Sequence, residues 1–298
     1  MNTQAAHAVK AAPLDSKRWL AKFSGEFKAK SDKTILGQTD HYGPLRVQRP
    51  FYPEGADLLH LYLLHPPGGL VGGDKLSIQL DAQANSKVLM TTPSAGKMYR
   101  NISGLKQSQM VDIKIADGAS LEYLPQENIV FDGAYGQLNT EVEIQGSGLF
   151  MGWELTCLGR FESDEMFEAG ELIQSLLIKH DGKPLFMDRL VLSAPSDLQT
   201  SMAGFQGKSV FGSFVINRDV MSLLADTNKD FDLAQWQAQV NEQIAPARVA
   251  VTQKPNVFIA RILGDKAQQA RNVFEELWGI LRPSVLKREA CAPRIWRT

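Results

Sequence analysis

The sequence predicts a mostly-β fold: a single large domain of layered sheets with two α-helices near the C-terminal part. Three observations support this prediction. Apolar and polar residues alternate in one segment after another, glycine-containing turn dipeptides separate many of these segments, and only two stretches repeat with a helical period. The chain has 298 residues, of which 44 % are hydrophobic, which is enough for a sizeable core. The predicted strands are too many for one sheet of ordinary width, so two stacked layers are expected.

Strands are predicted where side chains alternate with a period of two. In Gln109–Ile115, the apolar Val111 and Ile113 alternate with polar neighbours, and Gln137–Gln145 follows the same pattern. Such alternation places one face of a strand on a core and the other toward solvent. Further strands are predicted at Lys87–Thr92, Leu149–Leu158, Leu172–Lys179, Lys183–Leu192, Val210–Ile216, Arg248–Thr252 and Asn256–Leu263.

Two segments have the period of an amphipathic helix. In the first, the apolar positions are Leu233, Trp236, Val240 and Ile244. Asp232 is expected to cap its start and Pro246 to stop it. In the second, the apolar positions are Ala267, Ala270, Phe274, Leu277 and Leu281. Asp265 is its expected cap, and Pro283 is expected to lie just past its end.

Charge and cysteine content indicate the class of protein. With 32 Lys and Arg against 33 Asp and Glu, the net charge is -1, and the chain lacks the basic excess of nucleic-acid binders and membrane-surface proteins. Cys157 and Cys291 form no CxxC pair, which fits a reducing compartment. Residues 1–15 lack the apolar core of a secretory signal, and no apolar run reaches the ~18 residues of a membrane helix. We therefore expect a cytoplasmic protein with a flexible N-terminal tail over residues 1–15 and one domain over residues 16–298.

Motifs for nucleotide binding and enzymatic chemistry are missing from the sequence. Gly207-Lys208-Ser209 has the ending of a phosphate-binding loop, but Met202 stands where the loop needs its first glycine. Neither HExxH nor GxSxG occurs. The five histidines are dispersed, so a dedicated His/Cys metal site is disfavoured: His7, His41, His60, His65 and His180.

Several segments have compositions that are unusual for ordinary strands and loops. The loop His65–Asp74 contains two prolines and four glycines and ends on a carboxylate, so its backbone needs uncommon angles. In Leu121–Ala134, Glu127 and Asp132 flank a short apolar run. The segment Gly159–Glu171 is rich in acids, and the C-terminal residues are rich in arginine.

In their order along the chain, these segments resemble the UreD (UreH) family of urease accessory proteins. The similar stretches are Gly43–Pro50, His65–Asp74, Thr91–Pro93, Leu124–Glu127, Phe131–Ala134 and Pro293–Trp296. The chain departs from the family pattern at Ser163-Asp164-Glu165. The resemblance implies layered, superhelical β-sheets and a non-enzymatic chaperone. It also implies partners: with UreF and the GTPase UreG, the protein would deliver nickel to the buried active site of apo-urease.

Candidate site residues follow from this resemblance and from the surroundings of the carboxylates. A path for Ni²⁺ needs oxygen ligands that bind weakly enough to release the ion, so we expect a transient Ni²⁺ and no tightly bound cofactor. The candidate nickel path comprises Asp74, Glu127, Asp132, Glu165 and Glu168. For each carboxylate the alternative is a turn cap or an ion pair.

Docking to UreF or apo-urease is expected at the basic C-terminal segment, because arginine is common at interfaces. The candidate partner-binding residues are Arg282, Lys287, Arg288, Arg294 and Arg297. For the neighbouring Trp296 we favour a place in the core. Two other functions remain open at this point. One is an all-β carboxylate-dependent hydrolase using Glu127 and Asp132, and the other is a stand-alone ligand-binding module.

Overall fold

The computed structural model describes residues 19–228 and 230–297, so the predicted tail over residues 1–15 lies outside the described residues. The strands of the described residues are β1 (Leu20–Lys30), β2 (Lys33–Tyr42), β3 (Arg46–Val47), β4 (Leu58–Leu64), β5 (Lys75–Ala82), β6 (Lys87–Thr91), β7 (Gly96–Met98), β8 (Gln107–Ile115), β9 (Ser120–Leu124), β10 (Asn128–Val130), β11 (Tyr135–Ile144), β12 (Leu149–Leu158), β13 (Gly170–His180), β14 (Lys183–Ala194), β15 (Val210–Ile216), β16 (Arg248–Lys254) and β17 (Val257–Gly264). The α-helices are α1 (Asp197–Thr200), α2 (Val220–Thr227), α3 (Leu233–Ile244) and α4 (Ala267–Leu286). Short 3₁₀ turns cover Phe161–Ser163 and Arg294–Arg297. The prediction of a mostly-β fold is confirmed.

The strands form two stacked sheets through which the chain coils. The smaller sheet has seven strands in the order β14-β13-β11-β8-β5-β1-β2. The larger has ten strands, eight of them in the order β16-β17-β15-β12-β9-β6-β4-β3. The other two are β10, which pairs with β12, and β7, which pairs with β10. From β4 to β13 the chain passes repeatedly between the two sheets, and neighbouring turns of the coil pair in parallel, as β5 does with β8 and β6 with β9. This solenoid-like winding agrees with the expected layered, superhelical sheets.

Two apolar cores separate three layers. One core fills the space between the sheets, with Phe27, Val111 and Leu172 among its buried members. The other lies between the larger sheet and the helices, around Trp153 and Phe274. β11 alternates because only one of its faces is covered, whereas almost every residue of β12 is buried because both of its faces are covered.

The two predicted helices are present, with two differences in detail. α3 begins after Asp232, whose carboxylate accepts hydrogen bonds from two backbone N–H groups, as expected. α4 begins after Lys266 rather than after a capping Asp265, because the Asp265 carboxylate is paired with Lys208 Nζ at 2.7 Å. Pro283 lies inside α4 rather than past its end.

The continuation of α4 has a physical reason. Pro283 removes only one backbone donor. Leu281, Arg282 and Ser284 around it are all buried, so tertiary contacts hold the helix together beyond the proline. The structure also contains α1 and α2, which the helical periodicity did not predict. No helix among the described residues is long and apolar enough to cross a membrane.

Candidate functional site

Three of the five candidate nickel-path residues lie on two neighbouring loops. We call residues 131–134 and 159–169 the acidic loop pair. Asp132 Oδ1 accepts hydrogen bonds from the backbone N–H groups of Glu168 (2.9 Å) and Ala169 (2.8 Å). The backbone N–H of Asp132 in turn donates to Glu165 Oε1 at 3.2 Å. These bonds hold Asp132, Glu165 and Glu168 together although they come from different turns of the coil.

Glycines allow the two loops to approach. Gly159 has a φ of +77°, and a Cβ there would lie 2.3 Å from the carbonyl oxygen of Glu165. Gly170 has a φ of +107°, and a Cβ there would lie 2.2 Å from the carbonyl oxygen of Ala134. Any other residue would be strained and would push the loops apart. The glycines therefore explain why this acid-rich segment folds back onto Asp132.

The charges on the acidic loop pair are only partly compensated. Arg160 donates to Glu165 Oε2, through Nε at 3.0 Å and through a second, shorter bond. The Arg160 hydrogen bonds hold the pKa of Glu165 below its usual value. The Arg160 guanidinium also lies 4.7 Å from the centre of the Phe131 ring. Glu168 is exposed, and among the described residues its carboxylate has no partner.

The other two candidates lie apart from the acidic loop pair. Asp74 is buried, and its carboxylate accepts hydrogen bonds from the backbone N–H groups of Trp19 (3.1 Å) and Val71 (3.0 Å). It therefore caps a turn at the start of β5. Glu127 lies toward the helical layer, 3.5 Å from Arg271 of α4. Both carboxylates thus have the turn-cap or ion-pair role named as the alternative.

The chemistry of this region is that of weak oxygen ligands. Carboxylates suit hard divalent cations and bind nickel less tightly than His/Cys cages do. Within residues 19–228 and 230–297, no group of three or more His, Cys, Asp or Glu side chains is arranged to hold a metal ion. Glu127 is paired with Arg271 of α4, whereas Asp132 accepts hydrogen bonds from the backbone of Glu168 and Ala169, so the two carboxylates have different partners.

Arg282 is not on the surface, so the docking role expected for it is corrected. Its side chain is fully buried, and it donates to Glu122 at 2.9 Å from both Nε and a terminal nitrogen. It also donates to Glu54 at 2.6 and 2.9 Å. Glu54 completes the cluster by accepting from His60 at 2.7 Å. We call Arg282, Glu122, Glu54 and His60 the buried ion network.

Within the buried ion network, each charged group favours the charged form of its partners. Burial by itself would raise the pKa of Glu54, but the hydrogen bonds from His60 and Arg282 outweigh it and lower that pKa. Burial works against the charge of Arg282, yet the two carboxylates raise its pKa. Glu122 was missed in the sequence. The available signal was that it is the only charged residue in the fully buried strand β9.

The remaining basic residues of the C-terminal segment differ in exposure. Lys287, Arg294 and Arg297 are exposed, whereas Arg288 is half-buried and bonded to the carboxylate of Asp57. Trp296 is buried, as we favoured.

The Trp296 ring has specific neighbours. Its Nε1 donates to the hydroxyl of Thr91 at 2.8 Å. The ring also lies against Trp153 and Trp278, with ring centres 5.5 and 5.7 Å away. The end of the chain therefore presents arginines around an anchored tryptophan.

A further polar site lies in a cavity of about 480 Å³ between the two sheets, which we call the edge cavity. Its wall includes Glu154 of β12, which accepts from the Thr140 hydroxyl and from Gln174 Nε2 (3.2 Å). Burial, and secondly the charge of Asp188, raises the pKa of Glu154. Glu154 was also missed, although it is the only charged residue of the apolar run Leu149–Leu158.

Fold and site together define a coiled, two-sheet β scaffold with acidic loops on one side and basic residues at its C-terminus. The sequence model of the UreD urease accessory protein family matches residues 21–297. The chain is 38 % identical over 290 residues to a urease accessory protein UreD of Hahella chejuensis, covering 95 % of this chain and 92 % of that protein. It is also 38 % identical to a UreD of Saccharophagus degradans, covering 97 % of this chain and 96 % of that protein. A UreD of Psychromonas ingrahamii is 36 % identical, covering 94 % of each chain. The chain belongs to the UreD urease accessory protein family.

Proposed function

We propose that this protein is a urease maturation chaperone that, together with UreF and UreG, delivers nickel to the active site of apo-urease. Membership of the UreD family supports the maturation role, because the similar proteins are named urease accessory proteins. Nickel is the cargo in this proposal and not a resident cofactor. The observation that supports the nickel role is the acidic loop pair, where hydrogen bonds bring three acidic residues from two loops close together.

Within this proposal, Asp132, Glu165 and Glu168 make the transient contacts with the ion. Glu168 is the first ligand, because its carboxylate is exposed and has no partner among the described residues. Asp132 uses only Oδ1 in the hydrogen bonds to the loop, which leaves Oδ2 as a possible ligand atom. The Arg160 charge next to Glu165 weakens the attraction for a cation, which suits an ion that must be released.

Asp74 and Glu127 belong to the same proposal with a second task. To bind nickel, Asp74 would have to release the N–H groups of Trp19 and Val71, and Glu127 would have to release Arg271. Their contribution is therefore coupled to a local rearrangement. In the resting protein they shape the loop before β5 and hold α4 to the sheet.

Docking to UreF and to the urease subunits is assigned to the exposed part of the basic C-terminal segment. Lys287, Arg294 and Arg297 are exposed and flank the anchored Trp296. Arginine is common among binding hot-spot residues, and the buried Trp296 fixes the backbone that carries Arg294 and Arg297. Nucleotide hydrolysis is left to UreG, since this sequence has no phosphate-binding loop.

The proposal is tested by co-expressing urease with its accessory proteins, with and without this chain, and measuring the nickel content of purified urease together with urea hydrolysis. We expect urease to lack nickel when this chain alone is omitted. An Asp74→Ala/Glu127→Ala double variant should reduce the nickel content while still co-purifying with the partners. Normal nickel loading in the absence of this chain would contradict the proposed role.

A further inference from the structure

The two sheets end unequally on one side of the molecule. The smaller sheet ends at β14, whereas the larger continues through β17 to β16. On β16, Val249 faces the helical layer, so Arg248 and Ala250 point toward the smaller sheet. Both residues are exposed. The smaller sheet therefore lacks the strand that would cover β16.

The edge cavity occupies this gap. Leu190 of β14 lies on one side of it, Ala250 of β16 and Leu263 of β17 lie on the other, and Phe205 lines it as well. The lining is mostly apolar, and the volume of about 480 Å³ is large enough for several side chains. A strand added beside β14 would direct every second side chain into this space.

The outer edge of β14 is open. Among the described residues, the backbone groups of Lys183–Ala194 form hydrogen bonds only with β13. The outer edge of β16 is covered instead: Asn241 of α3 bonds both backbone groups of Val249, and Gln237 accepts from the N–H of Val251. Of these two neighbouring edges, the protein protects one and leaves the other available for pairing.

The outer face of β14 indicates the chemistry of an added strand. Met187 is 68 % exposed and Val191 49 % exposed, and Arg189 lies between them on the same face. Neither Arg189 nor Arg248 at the cavity has an acidic partner among the described residues. A complementary strand would therefore be apolar next to Met187 and Val191 and acidic next to Arg189.

We propose that β14 binds an extended acidic segment of a partner protein, which becomes the eighth strand of the smaller sheet and fills the edge cavity with its apolar side chains. Backbone pairing at a sheet edge, with pockets for alternate side chains, is an established mode of peptide recognition. A second copy of this chain fits poorly. The antiparallel register that places Met187 opposite Val191 also places Arg189 opposite Arg189, and like charges in that position repel. The inference does not depend on the nickel role.

The test uses fluorescence anisotropy with the full-length chain and a labelled synthetic peptide, Thr-Val-Val-Glu-Val-Val-Thr, whose second, fourth and sixth residues would lie beside Val191, Arg189 and Met187. We expect saturable binding that Arg189→Glu weakens by about tenfold, as for one close charge pair. The same variant should bind the lysine version of the peptide, Thr-Val-Val-Lys-Val-Val-Thr, better than the wild type does. A misfolded variant could not show this gain. Lys75→Glu, an exposed change on β5 of the same sheet, is the matched control and should leave both affinities unchanged.

Methylation of alternate peptide nitrogens distinguishes strand pairing from simple occupation of the cavity. Methyl groups on the nitrogens that face β14 should abolish binding, and methyl groups on the other set should be tolerated, because only every second N–H of an added strand points at its neighbour. Equal affinity of wild type and Arg189→Glu for both peptides, equal effects of the two methylation patterns, or no saturable binding would overturn the proposal.

Discussion

Arg282 of α4 and Glu122 of β9 are joined by two hydrogen bonds of 2.9 Å although they lie 160 residues apart in the chain. Both side chains are buried, and Trp278 Nε1 donates to the same carboxylate at 2.7 Å. This pair ties the helical layer to the larger sheet. It also anchors α4 to the sheet one residue before Pro283.

Replacing Arg282 by methionine should destabilise the fold strongly. The change leaves Glu122 and Glu54 buried without their cation, and breaking a buried ion pair from one side costs about 3–5 kcal/mol. The measurement is the free energy of unfolding in urea. Lys287→Met, one turn further along, is the control and should stay within about 0.5 kcal/mol of wild type, because Lys287 is exposed. Equal stabilities of the two variants would show that the buried ion network contributes nothing.

Glu154→Gln should stabilise the protein at neutral pH and have little effect in acid. Burial raises the pKa of Glu154 in the folded protein, so the ionised carboxylate is disfavoured by folding. This penalty is absent below the unfolded pKa of about 4.3, grows as the pH rises, and is complete above the folded pKa. Glutamine keeps the shape and removes the charge.

The check for Glu154 is the difference in unfolding free energy between Glu154→Gln and wild type, measured from about pH 4 to pH 8. We expect the difference to favour the variant increasingly as the pH rises. The control is Glu143→Gln, the same change on β11, which precedes β12 in the chain and belongs to the smaller sheet. A flat pH profile for Glu154→Gln would mean that the edge cavity solvates the carboxylate fully.

Substitutions in the C-terminal segment should distinguish a structural residue, Trp296, from the docking residues Arg294 and Arg297. Trp296→Ala removes a buried ring from Trp153 and Trp278 and should cost about 3–5 kcal/mol of stability. Arg294→Ala/Arg297→Ala should leave stability within about 0.5 kcal/mol because both side chains are exposed.

Pull-down of UreF by the double arginine variant provides the functional readout. We expect weaker capture than by wild type at unchanged stability. Truncation of residues 294–298 is the less specific version of the same test, because it removes Trp296 as well. Undiminished capture of UreF by the double variant would show that Arg294 and Arg297 do not contribute to docking.

Glu168→Gln should reduce nickel delivery without affecting the fold. Its carboxylate is exposed and has no partner within the described residues, so only the charge available to the ion is lost. Asp132→Ala should reduce nickel delivery and also lower stability by about 0.5–1.5 kcal/mol, because the exposed N–H groups of Glu168 and Ala169 lose their acceptor on the loop. The measurements are nickel bound per urease after co-expression and the unfolding free energy of each variant. Full loading by Glu168→Gln would argue against the acidic loop pair as part of the nickel path.

Local patterns in the sequence were sufficient for the elements whose signals lie within a few residues. Leu149–Leu158 and Val210–Ile216 were predicted with the bounds that the structure shows. For α3, the helical period, the Asp232 cap and the stop before Pro246 together gave the helix start and end. These signals depend on interactions between residues that are neighbours in the chain, so the sequence shows them directly.

The candidate site was only partly predictable. The acid-rich segment and Asp132 were singled out in the sequence, yet their meeting depends on the approach permitted by Gly159 and Gly170. Asp74 and Glu127 were selected by the same reasoning, but the structure gives each of them a protein partner. A carboxylate looks the same in a sequence whether it faces an ion, a backbone N–H or an arginine.

The sequence by itself determined that this is a mostly-β protein of the UreD type, because strand periodicity and ordered motifs are properties of short segments. Only the tertiary structure decided that Arg282 is a buried partner of Glu122 instead of a docking residue, and that the smaller sheet ends one strand early at β14. Both facts arise from contacts between residues far apart in the chain. Such contacts are fixed by how the layers pack, and no local pattern encodes which distant side chain completes a charge or covers a strand.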